Sequence, residues 1–389
     1  MKYKVYYGGW YQRTTLHLSE IYDLLFLGHS NLPLNKEKIL ELKNKLNFRQ
    51  VTRENDFLEY VLAKNNNGIT LYYYEDGLYL LETEADFVDI AKDKLEKFYN
   101  ELLNPAISYI FSLGAPTPKV LAHIKSDHPS VVLVETTDPS LFKVDKNIFG
   151  EVYSIIYSDK FNVFKTPDYI IIAVNKADVK SSMDLVGMQV FFREFKDQLE
   201  RYLNIHRTIW EEITNIKDKG SIRGQDIVKN RMRLESYDRS INLINNRINQ
   251  MGSYIKTRQS ISAELKIEEH LVKVFDYKFE TLSNTLAYIK EVWMMTKDYV
   301  KNVTSVLTEI ENQSLNNSIK SLQLITSIGV ISGIVGYLTK TELPRITNAG
   351  WLYLLVLISA TILINILIYF YYRNIKYRLK IVDTTSGSL

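Results

Sequence analysis

The sequence predicts an α/β N-terminal domain, long coiled-coil-like helices and a C-terminal two-helix transmembrane hairpin, assembled as a homo-oligomer. Three observations carry that fold class. Short runs of alternating apolar and polar residues, punctuated by Gly, Asn and Asp, fill roughly the first 175 residues. Rows of apolar residues spaced alternately three and four apart then run from Leu185 to Ile310. Two runs without a charge, Ser321–Leu338 and Trp351–Tyr372, come last.

Residues 1–180 are expected to form a cytosolic α/β domain. Tyr3 to Tyr11 alternates as a strand does, and Leu16–Leu27 and Lys36–Leu46 carry helical spacing. Phe57–Ala63, Ile69–Tyr74 and Leu78–Glu82 are strand-like. Between them, Asn65-Asn66-Asn67-Gly68 and Glu75-Asp76-Gly77 supply residues that tolerate positive φ. Asp86–Leu113 has helical spacing with an interruption at Pro105, where a backbone donor is missing. Val131–Glu135, Val152–Tyr157 and Tyr169–Val174 complete the β-rich runs.

From Met183 onward helices dominate. Leu185, Met188, Phe192, Phe195, Leu199, Tyr202, Ile209, Ile213 and Ile216 make one row, broken at His206. Gly220 and Gly224 mark a turn. Leu234, Tyr237, Ile241, Ile244, Ile248, Met251 and Ile255 make a second row, so 181–262 is a layer of two heptad helices. The third row is Val272, Phe275, Phe279, Leu282, Leu286, Ile289, Trp293, Thr296, Val300, Val303, Leu307 and Ile310. It defines a stalk helix over 263–320, free of Gly and Pro, whose 3.5-residue repeat favours a left-handed supercoil. Such rows bury against one another within a chain and against copies of the chain.

The expected first transmembrane helix is 321–338, followed by an outer loop at 339–350, a second transmembrane helix at 351–372 and a basic tail at 373–389. Trp351, Tyr353, Tyr369, Tyr371 and Tyr372 bracket the second run as interface anchors do. Arg373, Lys376, Arg378 and Lys380 follow it, so the positive-inside rule puts both termini in the cytoplasm and the protein in the cell (inner) membrane. The start, Met1-Lys2-Tyr3-Lys4-Val5, lacks the apolar core of a signal peptide. The first run is the more polar of the two, with Gln323, Thr326, Ser327, Gly329, Ser332, Gly333 and Gly336, which suits close helix packing or a wet path.

Composition narrows the functional classes. The formal net charge is +3, too small to make nucleic acid the expected partner. There is no cysteine, which excludes disulfides, thiol catalysis and cysteine-ligated zinc. The six histidines form no HExxH and no paired spacing, and no catalytic signature is present, so the chain is expected to be a non-enzyme.

The segment Asn316-Asn317-Ser318-Ile319-Lys320-Ser321-Leu322, the run Gly333-Ile334-Val335-Gly336-Tyr337-Leu338 and the loop pieces Glu342-Leu343-Pro344 and Gly350-Trp351 resemble the CorA superfamily of divalent-cation channels. The resemblance covers about residues 265–380. Over the N-terminal domain only the order of elements is similar. It implies a homo-oligomer, a pentamer in the family, with the first span on the pore side and Mg²⁺ or another divalent cation as the permeant ion. The family's magnesium carriers have Gly-Met-Asn where this chain has Gly336-Tyr337-Leu338. A Leu ring offers no hydrogen bonds to a hydrated ion. CorA-like proteins without the usual signature are associated with type III CRISPR systems, where a nucleotide second messenger is thought to trigger them.

Several residues follow as candidates. Asn312, Asn316, Thr326, Gly329, Gly333, Gly336, Tyr337 and Leu338 are pore or gate candidates, Leu338 and Tyr337 as an apolar gate. Glu309, Glu311 and Glu342 would attract cations as rings, against the plainer reading of a solvated acidic collar. Arg13, Arg193, Arg201, Arg207, Arg223, Arg231 and Arg233 would read nucleotide phosphates, although arginines on a helix face are commonly solvated. Gly8-Gly9-Trp10 marks a bulge, a strand exit or a close-approach site. Asn175-Lys176-Ala177-Asp178 follows a strand as the guanine-reading motif does, but without a phosphate loop it is a helix start.

Three functions stay open: a CorA-like cation channel controlled by the cytosolic domain, a nucleotide-gated membrane effector of a type III CRISPR system, and a non-conducting membrane-anchored scaffold. Self and the lipid bilayer are the expected partners, with a small nucleotide as a possible activator.

Overall fold

The computed structural model describes residues 2–11, 18–114, 130–158, 161–175, 179–276, 278–338 and 348–379. At 113–114, 179–181, 274, 335–338, 348–351, 353–354 and 357 it describes the backbone alone. The chain divides into two compact units, one of Met1–Ile205 with Leu243–Glu291, the other of His206–Asn242 with Val292–Leu389.

Unit one begins with β1 (Tyr3–Trp10), α1 (Leu18–Phe26) and α2 (Lys36–Leu46). Asn35 caps α2, its side chain accepting from Lys38 N, and Asn47 ends it in the left-handed region at φ 52°. Four strands follow: β2 (Phe48–Asn55), β3 (Glu59–Asn65), β4 (Ile69–Tyr74) and β5 (Leu78–Ala85). Gly68 and Gly77 occupy positive φ, at 73° and 89°, in the two predicted turns. Next come α3 (Val88–Phe98), a π-helical turn (Tyr99–Leu103) and α4 (Asn104–Gly114). Pro105 does not break this stretch. It sits in the first turn of α4, where a proline needs no donor, and Asn104 N reaches back five residues to Tyr99 O.

The unit continues with β6 (Ser130–Thr136), α5 (Lys146–Phe149), β7 (Ser154–Tyr157), β8 (Phe161–Lys165) and β9 (Tyr169–Asn175). Among the described residues these strands form a nine-stranded sheet in the order β2-β3-β4-β5-β1-β6-β9-β8-β7. Neighbours are antiparallel except β6 and β9, which are parallel. Val5, Leu71, Leu81, Val132 and Ile171 share one core with Leu24, Ile39, Leu95 and Ile107 of the short helices. The opposite face takes Trp10, which stacks on Phe195 and meets Phe191 edge-on. β5 is therefore buried on both faces, and each of Leu78, Leu80 and Leu81 contributes about 1.5–3 kcal/mol.

Long helices supply the rest. α6 spans Val179–Asp218, α7 spans Gly224–Glu264, and α8 (Glu268–Phe275) precedes α9 (Phe279–Leu338). The rows predicted along α6 and α7 are buried from Leu185 to Ile216 and from Leu234 to Ile255, with Tyr237 half-buried. The third row is not one helix. Asp276 turns left-handed at φ 53° and closes α8, so α9 starts three residues later.

Unit two adds β10 (Ser221–Arg223), α10 (Asn348–Asn374) and β11 (Lys376–Arg378), and β10 pairs antiparallel with β11. A Cβ at Gly224 would lie 2.5 Å from Tyr372 O, so only glycine fits where this ribbon meets α7.

The transmembrane hairpin is overturned. Among the described residues no helix is long and apolar enough to cross a membrane. Beyond Lys320, α9 mixes its apolar side chains with polar ones, Ser321, Gln323, Thr326, Ser327 and Ser332. In α10, Ser359, Thr361 and Asn365 interrupt the apolar side chains. The two spans and the inner-membrane placement fall with the hairpin.

Candidate functional site

Within unit two, α9 changes character along its length. From Trp293 to Ile310 its three–four row is buried, including Thr296, whose hydroxyl donates to Val292 O at 2.9 Å. The same spacing next meets Ser314, Asn317 and Ser321. Tyr377 OH donates to Ser314 Oγ at 2.8 Å, and Ser321 Oγ lies 2.7 Å from Tyr372 OH. Hydroxyl pairs thus fasten this stretch to the segment around the end of α10.

Beyond Ser321 many of the described apolar side chains are exposed. Leu324, Ile328, Val330, Ile331 and Ile334 are each more than half exposed, as are Leu355, Val356, Ile362, Leu363, Leu367 and Phe370 of α10. The polar members do not compensate. Thr326, Ser327 and Ser332 donate to Leu322 O, Gln323 O and Gly329 O of their own helix, at 2.8, 2.7 and 3.0 Å. Gly329 and Gly333 have open space where a Cβ would stand. Exposed apolar patches of this kind mark an interaction surface.

Three of the charged candidates in this unit sit in ion pairs. Glu311 forms an ion pair with Arg231, Oε2 lying 2.8 Å from Nε, and Arg231 Nη1 also donates to Glu235 at 2.6 Å. Arg233 binds Glu212 at 2.6 Å, and Tyr237 OH donates to the same carboxylate. These ion pairs leave Glu311 poorly suited to attract a cation, and a phosphate would have to displace Glu212, Glu235 or Glu311. Glu309, Asn312 and Asn316 are exposed, as are Arg207 and Arg223. Gly336, Tyr337 and Leu338 close α9 with the backbone alone described, and Arg13 and Glu342 lie outside the described residues.

In unit one, Arg193 donates to Gly8 O at 2.9 Å and to Glu194 at 3.0 Å, while Arg201 is half-buried. Gly8 and Gly9 make neither a bulge nor a strand exit. They pair in register with Leu80 and Tyr79, and the Tyr79 ring lies over Gly9. Of the guanine-like motif, Asn175 ends β9 and donates to Thr137 O at 3.4 Å, while 176–178 lie outside the described residues.

Sequence reasoning missed two sites in this unit. Arg258 and Asp76 form a buried ion pair, with Arg258 over the rings of Tyr74 and Phe191. Glu82 is held between the hydroxyls of Tyr6 and Tyr72, with Lys4 near, and burial raises its pKa. The signal available for the first was Asp76, the acid in a Glu-Asp-Gly turn. For the second it was only the alternation of β5.

A cavity of about 190 Å³ is lined by Lys38, Leu42, Lys45, Glu101, Leu102, Pro105 and Tyr109. Glu41 ties both lysines, at 2.9 and 2.6 Å, and Lys45 and Lys38 together pull its pKa down to about 2. An anion here would compete with that carboxylate, in a space smaller than most ligand sites. Among the described residues no group of three His, Asp or Glu side chains is placed to hold a metal ion. No family model and no curated protein matches this chain.

Proposed function

We propose that the chain is a non-enzymatic, self-assembling scaffold whose copies associate through the uncovered surface of α9 and α10. The observation that carries this reading is the set of apolar side chains more than half exposed, Leu324, Ile328, Val330, Ile331 and Ile334 of α9 with Leu355, Val356, Ile362, Leu363, Leu367 and Phe370 of α10. Contiguous apolar surface of that extent is rare on a monomer and costs free energy until it is covered. Gly329 and Gly333, with open space at their Cα atoms, let a second helix come close. A conducting path needs a membrane span on which to be built, so the channel and gated-effector readings lose an element they depend on. The scaffold reading loses its membrane anchor but keeps the exposed apolar side chains of α9 and α10.

Mass photometry of the full-length chain tests it, with mild detergent present if the apolar surface requires. The expected mass is a discrete multiple of 45.3 kDa that collapses toward one copy in a Leu324→Glu/Ile328→Glu variant. A wild-type chain that stays monomeric at micromolar concentration, and instead floats with lipid vesicles, overturns the proposal.

A further inference from the structure

The short ribbon of unit two sorts its side chains by face. Ser221, Ile222 and Arg223 of β10 oppose Arg378, Tyr377 and Lys376 of β11. Directly opposed residues point to the same side, so Ile222 and Tyr377 share one face while Ser221, Arg223, Lys376 and Arg378 share the other. The first face turns inward. Ile222 is 5% exposed, and Tyr377 OH donates to Ser314 Oγ of α9 at 2.8 Å. The second face leaves all three cations exposed.

Backbone bonds at the ribbon's ends fix how close these cations lie. Gly224 N donates to Ile375 O at 3.1 Å, and Leu379 N donates to Gly220 O at 3.0 Å. Alternation from either end makes 221–378 and 223–376 the closer, non-hydrogen-bonded pairs, with Cα atoms ~4.5 Å apart. Arg223 therefore stands directly against Lys376, and Arg378 lies on the diagonal about 7–8 Å from Arg223. Like charges so opposed work against strand pairing. Among the described residues none of the three has an ion pair or side-chain hydrogen bond to relieve the repulsion, and the flanking acids Asp218 and Asp226 do not reach them. Arg231 and Arg233, on the helix that follows, are by contrast matched by Glu311 and Glu212.

We propose that this outer face binds a short polyphosphate chain, with the Arg223 and Arg378 guanidinium groups and the Lys376 ammonium as its donors. A carboxylate brings one charge and two oxygens. Two or three linked phosphates bring several charges and enough oxygens to meet both guanidinium forks and the ammonium together. The face carries no aromatic side chain on which a base could stack, so recognition ends at the phosphates. It carries no apolar side chain to insert among lipid tails, because Ile222 and Tyr377 turn the other way. The inference uses none of the exposed apolar side chains of α9 and α10 and does not rest on self-assembly.

Calorimetric titration of the full-length chain with inorganic triphosphate at low ionic strength tests this. Wild type should bind one triphosphate per chain, more weakly as salt rises. Arg223→Gln/Arg378→Gln should lose at least tenfold in affinity. Without ligand it should melt no lower than wild type, because the substitutions remove the repulsion, and it should gain less in Tm when triphosphate is added. That pairing of readouts separates loss of the site from loss of the fold. Arg49→Gln/Lys64→Gln, which removes the same charge from exposed positions of unit one, should bind as wild type does. A nucleoside triphosphate should bind within about threefold of inorganic triphosphate. No binding at millimolar triphosphate, or equal losses in the two double variants, overturns the proposal. So does a nucleoside triphosphate that binds at least tenfold more tightly than inorganic triphosphate. Binding confined to phosphatidylserine vesicles would make the ribbon a lipid-facing patch and overturn it as well.

Discussion

Arg258 and Asp76, 182 residues apart in sequence, meet through two nearly parallel hydrogen bonds, Nε to Oδ2 at 2.7 Å and Nη2 to Oδ1 at 2.9 Å. Both side chains are almost wholly buried, at 6% and 3% exposure. Asp76 does more than balance the charge. Its Oδ1 also accepts from Leu78 N, and its carbonyl accepts from Trp10 Nε1 at 2.7 Å. The pair thus fixes the β4–β5 turn to α7. Removing one partner strands a buried charge, so Arg258→Met or Asp76→Ala should each cost about 3–5 kcal/mol in urea denaturation. The double variant, which strands no charge, should cost clearly less than the sum. Additive losses would mean that the two residues act separately.

Glu82 makes unit one sensitive to pH in a direction opposite to most carboxylates. Burial is the largest influence on it and raises its pKa, while the Tyr6 and Tyr72 hydroxyls and Lys4 pull the other way, and Glu84 adds to the rise. The folded state therefore holds a proton more tightly than the unfolded state. Stability is fullest below the unfolded carboxylate pKa and is lost as pH rises through the folded value. Glu82→Gln keeps an acceptor for both hydroxyls without the charge. It should raise Tm by on the order of 1–2 °C at pH 7 and change little at pH 4. A variant with the same Tm shift at both pH values would remove the carboxylate from this account.

The α/β character of the first 180 residues was legible because β1, β4 and β9 keep the alternation or apolar run of a buried strand, and because Gly68 and Gly77 sit where a turn requires positive φ. β2 escaped for a physical reason. As an edge strand it has one neighbour and much of its length in water, so Arg49, Arg53 and Glu54 hide its period. The break at Asp276 also escaped, since an aspartate in the left-handed region leaves no Gly or Pro to mark it. At the candidate surface the sequence displayed apolarity plainly in Leu324 and Ile328. Apolarity alone does not distinguish lipid from another copy. The arginines were legible as charges, yet their engagement by Glu212, Glu235 and Glu311 depends on which helix faces meet.

Gly9 is needed for the ring above it. A Cβ there would stand 2.5 Å from the Tyr79 hydroxyl and 2.9 Å from its Cζ. Tyr79 cannot swing away, because it is 4% exposed and stacks on Tyr99 at 5.3 Å. Gly9→Ala should therefore cost about 1–3 kcal/mol by overpacking, read as a lowered urea midpoint with an unchanged slope. Tyr79→Leu added to Gly9→Ala should recover part of the loss. A neutral Gly9→Ala would show that the ring has room to move.

His206 interrupts the apolar row of α6 and carries a proton switch into unit two. It packs beside Trp210 at 5.7 Å and meets Trp293 edge-on at 6.3 Å. Desolvation is the larger cause that lowers its pKa below the ordinary 6.5, and the neighbouring Arg207 charge is the second. The unfolded chain therefore takes up this proton before the folded chain does. Stability contributed by the neutral ring is present above pH 6.5 and is lost as pH falls toward the folded pKa. The half-buried position keeps the effect small, on the order of 1–3 °C in Tm between pH 7 and pH 5. His206→Phe should keep the ring packing and remove this component of the pH dependence. Arg207→Gln should weaken the component without abolishing it, because burial remains. An acid-side slope in Tm that is identical in wild type and His206→Phe would assign the sensitivity to other groups.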